Sequence, residues 1–265
     1  MDDIIIFTND IEEHQRITWE VIEILKKNNL YLKLEKCEFK KMMVEYLRVI
    51  ISHNTLAVDP IKAATVKDWP TPQKLKEVQE FVGFLNFYNR FIKNFSWVAC
   101  SLYDLTKKDK KFEWTDKRQE AFDKFKELIR SAPILSQVRD HGRFQIEADT
   151  CNYATWGILL QDQKGVYHPI AFLSKSLNEV ERNYQVHNQE MLVIIRTLEE
   201  WWHYIIGKEF DIWSDHKNLS WFMTKQNLNW CQARWGAELA EYHFDLHYHK
   251  ESVWVNQTPC WDDWT

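Results

Sequence analysis

Apolar positions along the chain follow two rhythms, and the rhythm changes near residue 139. Before that point helical spacing dominates. Ile17, Val21 and Ile24 recur at three- to four-residue steps within His14–Asn28, which marks one face of a helix. Leu75, Val78, Val82, Leu85, Tyr88, Ile92 and Phe95 keep the same step and predict a single helix over Leu75–Phe95. A third stripe, Phe122, Phe125, Leu128 and Ile129, predicts a helix that Thr115 is placed to cap and Ala132-Pro133 to end. Short β-branched runs at Ile4–Phe7 and Val44–Ser52 predict strands. Pro60, Pro70 and Pro72 punctuate a short helix and a turn between them.

After residue 139 alternation takes over. Phe144–Asp149, Trp156–Gln161 and Val166–Ser174 read as three strands, with Lys164-Gly165 as a hairpin turn. Glu179–Ile206 predicts a long helix whose buried face carries Met191, Ile194, Ile195, Leu198, Trp202 and Ile205. Phe210–Asp215 is a strand, Asn229–Tyr242 a helix, and Phe244–Tyr248 a closing strand. The chain therefore divides into residues 1–58, residues 59–138 and residues 139–265.

Composition changes this picture little. Hydrophobic residues make up 45% and charged residues 28% of 265, ordinary for a globular chain. No apolar run approaches the length that a bilayer demands, so no membrane partner is expected. Met1 is followed at once by two aspartates, unlike a secretory leader. The five cysteines are scattered without paired spacing, which suits a reducing, intracellular setting. Net charge is −5, too acidic for a protein that coats nucleic acid by charge alone. The charge is uneven, however: residues 60–111 are basic on balance and residues 139–265 acidic. That asymmetry suits a duplex-gripping element beside a metal-binding one, and equally two solvated surfaces that differ.

Candidate chemistry lies in the acidic part. Two predicted strands end in an aspartate followed by a polar turn: Ile146-Glu147-Ala148-Asp149 and Ile212-Trp213-Ser214-Asp215. If those strands are parallel neighbours, both carboxylates reach the crevice at their carboxyl ends. The long helix adds Glu190, on the face of Ile194, Thr197 and Trp201, where a carboxylate is costly unless a cation or donor meets it. Three such acids hold hard divalent cations through oxygen. Two metals about 4 Å apart clamp the attacking water and the leaving oxygen of a phosphodiester. His243, His247 and His249, with Cys231, invite comparison with a zinc site. The alternation instead puts Asp245, His247 and His249 on the outward face of a strand.

Specific phrases extend this reading. FQIEADTCNYATWGILLQ, HPIAFLSKSLNEVERNYQVHNQEMLVIIRTLEEWWHYIIG and FDIWSDHKNLSWF resemble the ribonuclease H domain of gypsy-type long-terminal-repeat retrotransposons. DWPTPQKLKEVQEFVGFLNFYNRFIKNFS and FEWTDKRQEAFDKFKELIRSAPIL resemble the thumb and connecting segments of their reverse transcriptase. LYLKLEKCEF and VEYLRVIIS resemble the end of its palm, and the order is collinear throughout. The resemblance implies an α+β palm remnant with a helical thumb, then an α/β ribonuclease H-like fold with a mixed five-stranded sheet and flanking helices. It implies cleavage of RNA in RNA–DNA hybrids with two Mg²⁺ ions (or Mn²⁺) on Asp149, Glu190 and Asp215. Lys74, Lys76, Lys93, Lys107 and Lys108 would follow the phosphates of the duplex.

Several positions depart from the family. Its fourth aspartate falls on Asn256, which offers a neutral oxygen to a metal but no charge. Weakening the second metal site by roughly 2–4 kcal/mol would slow turnover some 30- to 1000-fold. Asp262 and Asp263 are the other acids nearby. Met1-Asp2-Asp3 resembles the polymerase aromatic-X-Asp-Asp motif entered at its X residue, but a further acid and the fingers belong upstream, so the chain alone is not expected to polymerise. Arg48 replaces a family glycine and Trp156 a small residue. Trp97, Cys100, Trp230 and Cys231 stand where basic residues are expected, and single cytosine transitions turn Arg codons into Trp or Cys codons. A rival reading follows: a catalytically dead, nucleic-acid-binding remnant of a decayed retrotransposon.

Overall fold

Asp10 starts the first helix by accepting the Glu13 amide on its side chain at 2.8 Å. A computed structural model of the protein describes residues 3–8, 10–107, 110–151, 153–215 and 230–248, without the side chains of Trp230 and Cys231. That first helix, α1, spans Ile11–Lys27 and buries none of its residues. Ile4–Phe7, expected as a strand, pairs with no strand among the described residues, and Ile4 and Phe7 are exposed. An extended segment with no ladder partner has nothing to hold it as a strand in water.

Val44–Ser52 is two strands rather than one. β1 (Met43–Tyr46) and β2 (Val49–Ser52) pair antiparallel through Tyr46 and Val49. Leu47 and Arg48 turn between them with φ of 47° and 64°. Both turn residues need positive φ because that twist matches the strands. Arg48 therefore occupies a left-handed position, where a side chain costs about 1 kcal/mol or more relative to glycine. Its guanidinium lies 5.6 Å from the Phe87 ring centroid, and its carbonyl accepts the Tyr88 hydroxyl at 3.3 Å. β3 (Thr55–Val58) extends the sheet, and β4 (Leu135–Ser136) closes it in the order β1-β2-β3-β4. Neither β3 nor β4 was expected; a two-residue strand is too short to show a period.

Helices fill the middle of the chain. α2 (Pro60–Lys67) starts with proline at its first turn and Asp59 accepting the Ile61 amide at 2.9 Å. The helix predicted over Leu75–Phe95 stops early. α3 ends at Phe87, a 3₁₀ turn spans Asn89–Phe91, and α4 (Phe95–Leu105) restarts after Asn94 in the left-handed conformation. Val78, Val82, Leu85, Tyr88, Ile92 and Phe95 are nevertheless all buried in one cluster. Leu75, the first residue of the stripe, is exposed; the rest of the periodicity marks the core, and the break lies within it. α5 (Asp116–Arg130) buries Phe122, Phe125 and Ile129 in that cluster, with Leu128 packed at its edge. Thr115 stands at its N-cap without a capping side-chain bond.

The second sheet is five-stranded and mixed. β5 (Phe144–Cys151), β6 (Ala154–Asp162) and β7 (Tyr167–Ser176) form an antiparallel meander. Lys164 and Gly165, both at positive φ, turn the second hairpin. β8 (Glu209–Ser214) joins β5 in parallel, and β9 (His243–Tyr248) joins β8 in parallel, for the order β7-β6-β5-β8-β9. The long helix is also broken. α6 covers Glu179–Arg182 behind a capping box of Asn178 and Glu181, and α7 runs Val186–Ile205. α7 buries Met191, Ile194, Ile195, Leu198 and Ile205 as expected, but Trp201 rather than Trp202, which is 53% exposed. Trp201 lies eleven positions after Glu190, three helical turns, so it belongs to the sheet-facing side. α7 comes so close that a Cβ on Gly157 would lie 2.6 Å from Thr197 Cγ2.

α7 and α8 (Trp230–Leu239) cover one face of this sheet with Phe144, Ile146, Ala148, Phe210 and Ile212. On the other face Ile158, Leu160 and Phe172 pack into the first cluster, and the Ser96 amide of α4 donates to Ser174 Oγ at 2.9 Å. The β6–β7 half is thus clamped between helices. No helix among the described residues is long and apolar enough to cross a membrane.

Candidate active site

Parallel pairing of β5 and β8 puts the ends of both strands at one edge of the sheet. Asp149 lies near the end of β5, and Asp215 directly follows β8. Glu190 descends from the first turns of α7 and is 4% exposed. One carboxylate oxygen from each of the three lies within 4.8 Å of the other two. The sheet sets two of the acids and the close approach of α7 at Gly157 sets the third.

Two of these carboxylates are short of donors among the described residues. Glu190 Oε1 accepts the Thr150 hydroxyl at 2.8 Å, and Asp149 Oδ1 accepts the Thr150 amide at 2.6 Å. Glu190 Oε2 and Asp215 Oδ1 are buried and accept no hydrogen bond from the described residues. An orphaned buried acceptor costs roughly 1–3 kcal/mol, more when charged. Burial pushes the Glu190 carboxyl up to about 8; Asp149 and Asp215 add to the rise and the Thr150 hydroxyl opposes it. A divalent cation would meet both orphaned oxygens and favour the ionised form. The donor set is oxygen only, which suits Mg²⁺ or Mn²⁺.

Glu147 was passed over in the sequence, although a period of two puts it on the side of β5 that Asp149 shares. Burial raises its carboxyl to about 7, against the pull of the Gln145 amide and Lys93. Lys93 lies between α3 and α4, with its ammonium 4.7 Å from the Trp156 ring centroid. Burial lowers the Lys93 pKa, while Glu147 and Asp149 raise it. It is therefore turned towards the sheet rather than aligned with the exposed Lys74 and Lys76. Trp156, cross-strand from Asp149, fills the space beneath it. Lys107 is exposed and paired with Asp104 at 2.6 Å.

A second acidic group lies on β8 and β9, on the side of the sheet away from α7. Asp211, Asp245 and His247 also bring ligand atoms within 4.8 Å of one another. Arg143 already fills it, donating to Asp211 at 2.7 and 2.9 Å and to Asp245 at 2.6 Å. His247 Nε2 lies 2.8 Å from Asp211 and stacks on Trp213. His243 is exposed and outside this group. Asp3 is exposed and belongs to neither convergent group found among the described residues. Asp2, Lys108, His249, Asn256, Asp262 and Asp263 lie outside the described residues, as do the side chains of Trp230 and Cys231.

Residues 140–242 match the RNase H-like domain found in reverse transcriptase, and residues 1–51 match the reverse transcriptase (RNA-dependent DNA polymerase) family. The retrovirus-related Pol polyprotein from transposon 297 of Drosophila melanogaster is 35% identical over 94% of this chain and 23% of its own length. The Tf2-3 polyprotein of Schizosaccharomyces pombe is 30% identical over 96% of this chain and 19% of its own. The chain thus spans about a quarter or less of these relatives. The foamy viral protease-reverse transcriptase in complex with an RNA/DNA hybrid has the same fold, with TM-score 0.76 and 19% identity over 92% of this chain and 34% of that one. The chain belongs to the Pol polyprotein family of retrotransposons, as a segment with the reverse transcriptase part ahead of a ribonuclease H-like domain.

Proposed function

We propose that residues 139–265 cleave the RNA strand of RNA–DNA hybrids, with Asp149, Glu190 and Asp215 holding two Mg²⁺ ions, for which Mn²⁺ can substitute. The observation that carries this reading is a pair of buried oxygens without a donor among the described residues, Glu190 Oε2 and Asp215 Oδ1, inside a group of three convergent carboxylates. Bound there, the metals supply a clamp on the attacking water and the leaving oxygen of the scissile phosphodiester. The protein's own residues hold that place ready. β5 and β8 fix two acids on a rigid edge, and α7 presents the third from a dry face where its charge is poorly solvated. By the resemblance Asn256 falls at the family's fourth aspartate, where it would offer no charge, so slow turnover is expected.

In the same reading residues 1–58 are the end of a polymerase palm and residues 59–138 a thumb with connecting helices. Asp2 and Asp3 remain from the polymerase site, whose other acid lies in the upstream part of the parent polyprotein. Lys74, Lys76, Lys107 and Lys108 follow the phosphates of the duplex. Lys93, turned to the sheet, holds the thumb against β5 and β6 instead.

The test is cleavage of a labelled RNA–DNA hybrid by the full chain in Mg²⁺ and in Mn²⁺. Cuts within the RNA strand are expected, and none with Asp149→Asn, Glu190→Gln or Asp215→Asn. Cleavage that survives all three substitutions would overturn the assignment. So would a folded parent and a folded Asn256→Asp that both leave the hybrid intact, the outcome that a dead remnant gives. Primer and template with deoxynucleotides should yield no extension; extension by this chain alone would refute the polymerase part.

A further inference from the structure

Thr150 touches two of the three acids at once. Its hydroxyl donates to Glu190 Oε1 at 2.8 Å and its amide to Asp149 Oδ1 at 2.6 Å. No other protein donor to the Glu190 carboxylate exists among the described residues. The two contacts come from one residue because β5 alternates: Asp149 turns to one side of the strand and Thr150 to the side of α7. A buried carboxylate on a long side chain has rotamers to choose from. One fixed oxygen removes most of that choice and leaves the other, Oε2, as the atom open to a cation.

We propose that Thr150 is a positioning residue of the metal site. Its hydroxyl fixes the Glu190 carboxylate while its amide fixes that of Asp149, so the pair is set before any cation arrives. This rests on the metal-site reading above and adds a residue that supplies no ligand itself. Groups that orient ligands through hydrogen bonds typically change metal affinity by 10- to 100-fold when removed. The branched Cβ of Thr150 contributes as well, because it restricts χ1 and keeps the hydroxyl aimed at α7.

Mn²⁺ binding to the full chain, measured by calorimetry without nucleic acid, separates the possibilities. Thr150→Val keeps the shape and deletes the hydroxyl, and should weaken binding at least about tenfold. Thr150→Ser keeps the hydroxyl and should stay within about threefold of the parent, the loss reflecting only freer χ1. Circular dichroism would show whether each variant is folded. If Thr150→Val does not fold, Thr150→Ala takes its place beside Thr150→Ser: weak binding by Ala with near-parent binding by Ser carries the proposal. Equal affinity for hydroxyl-bearing and hydroxyl-free variants overturns it, while Asp149→Asn abolishing Mn²⁺ binding in the same series would leave the metal site standing. A parent that binds no Mn²⁺ at millimolar concentration overturns the site and this role together.

Discussion

Two groups of potential metal ligands lie at the same five-stranded sheet, each within 4.8 Å, and they are answered in opposite ways. Asp211, Asp245 and His247 meet Arg143, whose guanidinium reaches both carboxylates. Its fork of donors leaves little unsatisfied charge for a cation to find. Asp149, Glu190 and Asp215 also bring oxygens within 4.8 Å of one another, yet two of those carboxylates' oxygens are buried without a donor among the described residues. The convergence of carboxylates is thus common to both, and the missing donors distinguish them. The candidate metal site is marked by the donors that the described residues do not supply. The cost of that omission appears in Glu190, whose carboxyl is pushed up to about 8, first by burial.

The largest expected effect comes from removing one charge in each group. Asp149→Asn should reduce hybrid cleavage by at least about 1000-fold, roughly 4 kcal/mol of barrier, whereas Asp211→Asn should stay within about twofold. A gel assay of labelled RNA strand reads both. Similar losses at the two positions would break the comparison.

Glu190→Gln should act in the opposite direction on stability. The folded state retains a proton on Glu190 up to pH about 8, whereas the unfolded chain releases it near its ordinary value of 4.5. Without metal, this group therefore favours folding at low pH, and the advantage declines between those two values as pH rises. Glutamine cannot ionise, so urea unfolding at pH 8 in EDTA should show the variant more stable by on the order of 1–3 kcal/mol. At pH 5 the difference should shrink, and excess Mg²⁺ should reverse it. A pH-independent difference would mean that burial does not strain this carboxylate.

Asn256→Asp sharpens the first group further. If Asn256 faces the metals, the restored charge should raise cleavage at least tenfold, about 1.4 kcal/mol. An unchanged rate would show that another group completes the site. The smallest effect belongs to the second group. Arg143→Gln should lower stability slightly in low salt and not measurably in 1 M salt, because exposed ion pairs are screened. A salt-independent loss would assign Arg143 a packing role instead.

The three acids were legible because each sits where a periodic element ends or turns inward. Strand alternation located Asp149 and Asp215, and the i, i+4, i+7, i+11 series located Glu190 with Ile194, Thr197 and Trp201. Their partners were less visible. Thr150 matters through one hydroxyl whose direction depends on how near α7 comes, and that distance is set by Gly157 on another strand. Arg143 answers acids 68 and 102 residues away, a contact that no local pattern records. Helix interruptions at Tyr88–Asn94 and Asn183–Gln185 were hidden because apolar spacing continues across them. Arg48 is the reverse case. Its departure from a family glycine was visible in the sequence, and the reason for the glycine, a turn at positive φ, became visible only in the structure.

One measurement separates the two groups directly: anomalous scattering from crystals of the full chain grown with Mn²⁺. The account predicts density among Asp149, Glu190 and Asp215, and none beside Asp211, Asp245 and His247, where Arg143 already supplies the positive charge. Manganese at the Arg143 group, with the Glu190 group empty, would contradict it.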